Sequence, residues 1–150
     1  MSVKHITAVV IIMLSLAGCA LKNEPTPLGD SELVGYWLHD QKENIAEGVL
    51  HTRMALDITQ EGYASYHFIS CLESDGTWEK SRGLHLQHMP IIKASTKKIK
   101  VQTFPLTPKW EFQITKWPYQ EDNLWRMVID KKSLDRIEAK DDANNWQCES

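Results

Sequence analysis

The feature that most restricts what this chain can fold into is a period of two in its apolar residues. In "HTRMALDIT", Met54, Leu56 and Ile58 share one face while Arg53 and Asp57 share the other. Successive side chains of a strand point to opposite faces, so this pattern belongs to a half-buried β-strand. "GYASYHFISC" repeats it, with Ala64, Tyr66 and Phe68 on one side and His67, Ile69 and Cys71 on the other. Gln60-Glu61-Gly62 lies between the two runs and reads as a hairpin loop.

The second half of the chain continues in the same way. Ile99 and Val101 alternate with Lys98, Lys100 and Gln102, and Trp110, Phe112 and Ile114 alternate with Glu111 and Gln113. Trp125, Met127 and Ile129 form a further apolar face. Turn-rich separators stand at Asp75-Gly76, Ala94-Ser95-Thr96, Pro105 to Pro108 and Pro118 to Asn123. "KKSLDRIEAKDD" has Leu134 and Ile137 three apart, which suits a short helix or a closing strand; a strand followed by coil is the preferred reading.

About eight or nine short strands joined by tight turns predict an all-β fold with an antiparallel meander. Closure of that meander removes exposed edges, so a small up-and-down β-barrel is the first expectation and an open β-sandwich the second.

The first strand, "ELVGYWLHD", contains Gly35-Tyr36-Trp37. This tripeptide resembles the G-x-W signature that opens the lipocalin and calycin barrels. The resemblance implies that Trp37 closes one end of the barrel beneath an arginine from a late strand, here Arg126 or Arg136. It also implies a cup that holds an apolar or amphipathic ligand, with Trp37 as a ligand-side residue.

The N-terminus has a different character. "MSVKHITAVVIIMLSLAGC" has one lysine, an apolar stretch from Ile6 to Leu16 and small residues before a cysteine. This is the layout of a secretory signal, and the apolar stretch is short for a membrane span. Leu16-Ala17-Gly18-Cys19 resembles the lipobox of bacterial lipoproteins at every position. The resemblance implies cleavage before Cys19, with lipid on its sulfur and amine. Several acyl chains on one residue make release from a membrane slow, since each buried methylene contributes ~0.8 kcal/mol. Ala20 occupies the position where an aspartate resembles an inner-membrane retention signal, so the outer membrane facing the periplasm is the expected location.

On this reading residues 1–18 are a lipoprotein signal peptide, 19–32 a lipidated tether containing two prolines and a glycine, and 33–150 a single β-barrel domain. Removal of residues 1–18, whose only charge is on Lys4, changes the net charge from −3 to −4. A mildly acidic chain with no basic run offers no footprint for nucleic acid. With Cys19 assigned to lipid, Cys71 and Cys148 remain, and in an oxidising compartment an even pair reads as a disulfide, with two free thiols the alternative. The bridge would return the tail "DDANNWQCES" to the body of the fold.

Six tryptophans are many for this length. Trp110 and Trp125 sit on apolar faces and read as core. Trp117 shares the parity of Glu111 and Gln113 beside Tyr119, so Trp117 and Tyr119 are candidate ligand contacts at a barrel rim, with packing under their own loop as the competing role. His85 and His88 are three apart, which on a strand puts them on opposite faces ~10 Å from each other, and no metal site is expected. His67 and Cys71 share a face but lie ~13 Å apart, too far for a thiol–imidazole pair. The sequence has no G-x-S-x-G, H-E-x-x-H, P-loop or dinucleotide fingerprint, so no catalytic residue and no cofactor is assigned.

The function expected is a binding role at the envelope membrane, toward a hydrophobic small molecule or a protein partner. The alternative is an inhibitor or immunity-type lipoprotein that blocks a toxin or lytic enzyme, with Glu121-Asp122 beside Trp117 as its contact patch.

Overall fold

The computed structural model describes residues 24–103, 107–138 and 146–148. Residues 1–18, read from sequence as a signal peptide, and Cys19 lie outside the described residues. Among those described there is no helix, and eight strands form a closed antiparallel barrel in sequential order. They are β1 (Gly35–Ile45), β2 (Gly48–Ile58), β3 (Tyr63–Ser74), β4 (Thr77–Ser95), β5 (Lys98–Val101), β6 (Trp110–Glu121), β7 (Leu124–Ile129) and β8 (Lys132–Ile137). β8 returns to β1 through Tyr36↔Ile137, Trp37↔Arg136 and Leu38↔Asp135, which closes the wall. The open sandwich is thereby excluded.

The alternating residues fill the interior as their period requires. Leu56, Ile58, Ile99, Val101, Met127, Ile129 and Leu134 are all fully buried, and Met54, Ala64 and Phe112 nearly so. Tyr66, Trp110 and Phe112 make an aromatic group across the middle, with ring centroids 5.3 to 5.9 Å apart. Each large apolar side chain buried in this way contributes ~1.5–3 kcal/mol, so the stability of the molecule resides in this packed half.

One end of the barrel is plugged. Trp37 is fully buried and its Nε1–H donates to the Leu33 carbonyl at 2.8 Å. Leu28, Trp117 and Trp125 pack against the same cluster. Residues 26–34 run across this end: Thr26 N–H donates to the Ile91 carbonyl at 2.6 Å, and Leu28 N–H to the Gln60 carbonyl at 2.8 Å. The ordered body therefore starts ahead of Leu33, because Leu28 finds apolar cover on the barrel end.

Several boundaries differ from the sequence expectation. Pro118 lies within β6, where the β6–β7 register slips between Lys116 and Tyr119 and no ladder hydrogen bond is required of a proline. The turn after β6 is the pair Asp122-Asn123, both in left-handed conformation. Asp130-Lys131 makes a similar turn between β7 and β8 without any glycine. β4 is 19 residues long, and its first half carries no apolar alternation.

The eight strands do not reach equally far. β1 pairs with β8 only across Tyr36–Leu38, and β4 pairs with β5 only from Ile91 onward. Above that level the ladders join β1 to β2, β2 to β3 and β3 to β4, so a four-stranded wall projects beyond the closed half. Its inner face lines the mouth of the barrel.

Residues 146–148 lie on the outside of that wall. Cys71 and Cys148 are disulfide-bonded, their Cα atoms 5.6 Å apart. The Arg53 guanidinium sits 4.3 Å from the Trp146 ring centroid. His51, Ala55, His67, Ile69 and Cys71 are buried although they occupy the outward parity of β2 and β3.

Candidate binding site at the mouth of the barrel

Register converts sequence-distant residues into rows across the inner face of the wall. The lowest row is Trp37, Leu56, Tyr66 and Leu86, all apolar or aromatic. Above it come His39, Met54, Phe68 and Leu84. The third row is Gln41, Thr52, Ser70 and Arg82, polar on all four strands. Directly opposed residues in antiparallel pairs hold their side chains side by side, so the third row is a continuous polar band above a partly apolar floor.

These rows bound an open cup of about 470 Å³, lined by His39, Gln41, Glu43, Leu50, Thr52, Phe68, Ser70, Ser81, Arg82 and Lys132. β8 supplies Lys132 from the short side of the barrel, while the other residues come from the wall. The volume falls within the range of small-molecule sites. His39 donates through Nδ1 to the Ser133 carbonyl at 2.8 Å, which ties β1 to β8 just below the polar band; a carbonyl only accepts, so Nδ1 carries the proton. Among the described residues, neither Arg82 nor Lys132 has a carboxylate partner.

Several charged groups of the barrel are paired on its outer surface. Arg126 is held by Glu121 and by Asp135, at 3.0 Å for the latter, and the hydrogen bond it donates to Glu121 is the leading reason that its pKa is raised. Asp40 accepts from His51 Nε2 at 2.7 Å and Arg53 Nε at 3.0 Å. Glu111 lies between Lys100 and Lys98, at 2.8 and 3.0 Å, and their hydrogen bonds lower its carboxyl pKa to about 2.

The residues selected from sequence occupy other places. Trp37 lies at the closed end, away from the mouth. Trp117 is turned against the core by the register slip in β6, and its Nε1–H donates to Glu32 at 2.7 Å. Tyr119 lies beneath the Lys116 ammonium, 3.5 Å from the ring centroid. None of the three lines the cup. Glu121, the proposed inhibitor contact, is bound to Arg126 in the turn at the closed end.

His85 faces His67 across the β3–β4 ladder, centroids 4.0 Å apart, whereas His88 stacks on Tyr63 at 3.9 Å. Among the described residues no three potential metal ligands cluster. Cys71, in its disulfide, has no thiol to offer His67.

A second hollow of about 840 Å³ lies at the closed end beside Gly35, Trp125 and Arg136. It borders only β1, β7 and β8 with their turns and Asp57, and it lacks a registered polar row. The mouth is the better-organised site. Sequence reading missed it because Gln41, Thr52, Ser70, Arg82 and Lys132 share no motif; the signal available was the failure of apolar alternation in the outer halves of β1 and β4. Comparison with protein-family models, with curated proteins and with solved structures finds no match.

Proposed function

We propose that this chain is a lipid-anchored protein of the bacterial envelope that holds a small molecule in the open mouth of its barrel. The single observation that carries the reading is the division of the barrel into a packed half and an open, polar-lined half. A deep apolar cavity, as the first expectation of a hydrophobic ligand requires, is not what the packed interior favours. A ligand held at the mouth is.

The Leu16-Ala17-Gly18-Cys19 lipobox supports the anchor. Residues 26–34 lie across the closed end, and five residue steps separate Cys19 from Glu24, a reach of at most ~18 Å. A lipid on Cys19 would keep the closed end beside the bilayer and turn the mouth toward the periplasm. Ala20 favours the outer membrane. The lipocalin-like reading draws support from Trp37 at the closed end and from Arg136 opposite it on β8.

Native mass spectrometry of gently purified protein tests the binding role. The expected result is an added small-molecule mass that disappears in Ser70→Phe, which fills the cup. Protein without any added mass, and without response of the mouth residues to any small-molecule probe, would overturn the reading. Cys19→Ala tests the anchor independently: the protein should move to the soluble fraction, and retention in the membrane at high salt would count against it.

A further inference from the structure

We infer that the cup selects a hydroxyl-bearing organic anion, of the sugar-acid or sugar-phosphate class. The inference rests on the mouth being a ligand site and goes further by assigning the ligand's chemistry.

Charge comes first. The chain is acidic as a whole, yet Arg82 from β4 and Lys132 from β8 approach the cup from its two sides. Among the described residues neither Arg82 nor Lys132 is matched with a carboxylate, so both charges are available to a ligand. Among the described residues Glu43 is the single acid lining the cup, and it sits one row nearer the lip than Arg82. A guanidinium offers paired donors that match a carboxylate or phosphate, and an ammonium adds a point charge.

The rest of the lining narrows the class. Gln41, Thr52 and Ser70 stand in one row with Arg82, which gives a ladder of donors and acceptors suited to several hydroxyls on one ligand. Phe68 lies in the row below and offers an apolar surface for the C–H face of a ring. A long alkyl chain finds no matching slot, because Trp37, Leu56 and Met54 fill the space underneath. Carboxylate and phosphate forms share the chemistry recognised, and only titration separates them.

The test is an NMR titration of the full mature domain, following the backbone amides of Thr52, Ser70 and Arg82. The probes are glucuronate, glucose 6-phosphate, glucose, inorganic phosphate and an apolar naphthalene dye. The expected result is saturable shifts at these amides with glucuronate or glucose 6-phosphate, at least tenfold weaker binding of glucose and of phosphate alone, and at least a tenfold loss in Arg82→Gln and in Lys132→Gln. Both side chains reach solvent at the mouth, so these variants should keep the wild-type spectrum elsewhere. If glucose binds as well as its acids, or the dye alone binds at the mouth, the anion assignment is wrong while the cup remains a ligand site. If no probe moves the mouth amides, both readings fall.

Discussion

Arg136 stands directly across from Trp37 on the β8–β1 ladder, and its side chain passes over Gly35, where an added Cβ would meet Nε at 2.7 Å. The Gly35-Tyr36-Trp37 tripeptide and a sequence-distant late arginine therefore meet at the plugged end. Gly35 also has φ +147°, a conformation that side chains rarely adopt.

Gly35→Ala should therefore cost ~1–3 kcal/mol through backbone strain, with a further contribution from displacing the arginine. Combining it with Arg136→Ala should remove the steric part and leave the strain. Urea unfolding of the two single variants and the double variant reads the coupling. A Gly35→Ala protein as stable as wild type would contradict the close approach.

The bond between Cys71 and Cys148 joins residues 77 apart in sequence and holds residues 146–148 at the outer face of β2 and β3. Cys148→Ser should lower stability by ~2–4 kcal/mol, mainly by freeing the unfolded chain. The tail should also become a site of rapid limited proteolysis while the barrel persists. An unchanged urea midpoint would show that the cross-link contributes nothing.

Glu111 gives stability a definite pH dependence. Lys100 and then Lys98 lower its carboxyl from 4.5 to about 2. A pKa lowered by folding stabilises fully above the unfolded value and is lost as pH falls through the folded one. The Tm advantage of wild type over Glu111→Gln should accordingly be present at pH 7, shrink below pH 4.5 and vanish near pH 2. Exposed pairs are weak and screened, so the advantage should be small and smaller still in high salt.

Tyr66 reports on the interior. Burial first, and Asp130 second, push its hydroxyl from 10 up to about 12. An acid whose neutral form is favoured by folding destabilises the native state above its unfolded pKa, here from pH 10 upward. Ultraviolet titration should show a late phenolate that is lost in Tyr66→Phe. If every tyrosine ionised near pH 10, water would have to reach the middle of the barrel.

Much of the barrel was legible in sequence because its inner residues are buried against one another. Met54, Leu56 and Ile58 on β2, and Met127 and Ile129 on β7, must be apolar to fill that space, and the period of two follows directly. The outer halves of β1 and β4 were not legible for the complementary reason. Their inner face lines a mouth open to water, so "HDQKENI" and "TWEKSRGLHLQH" need no alternation. The Asp130-Lys131 turn was not legible either, because its left-handed residues carry no glycine signal.

By itself the sequence determined that the chain is a β-meander with enough alternating apolar residues to close on itself. It also left Cys71 and Cys148 as the pair to cross-link. Only the tertiary structure decided which residues meet. A register slip in β6 turned Trp117 inward, and the β8–β1 ladder put Arg136, not Arg126, opposite Trp37. Strand pairing also drew Gln41, Thr52, Ser70 and Arg82 into one polar row facing Lys132. Alternation fixes which face a side chain takes, whereas its neighbours across the sheet depend on register, and register is set by the packing of the whole barrel.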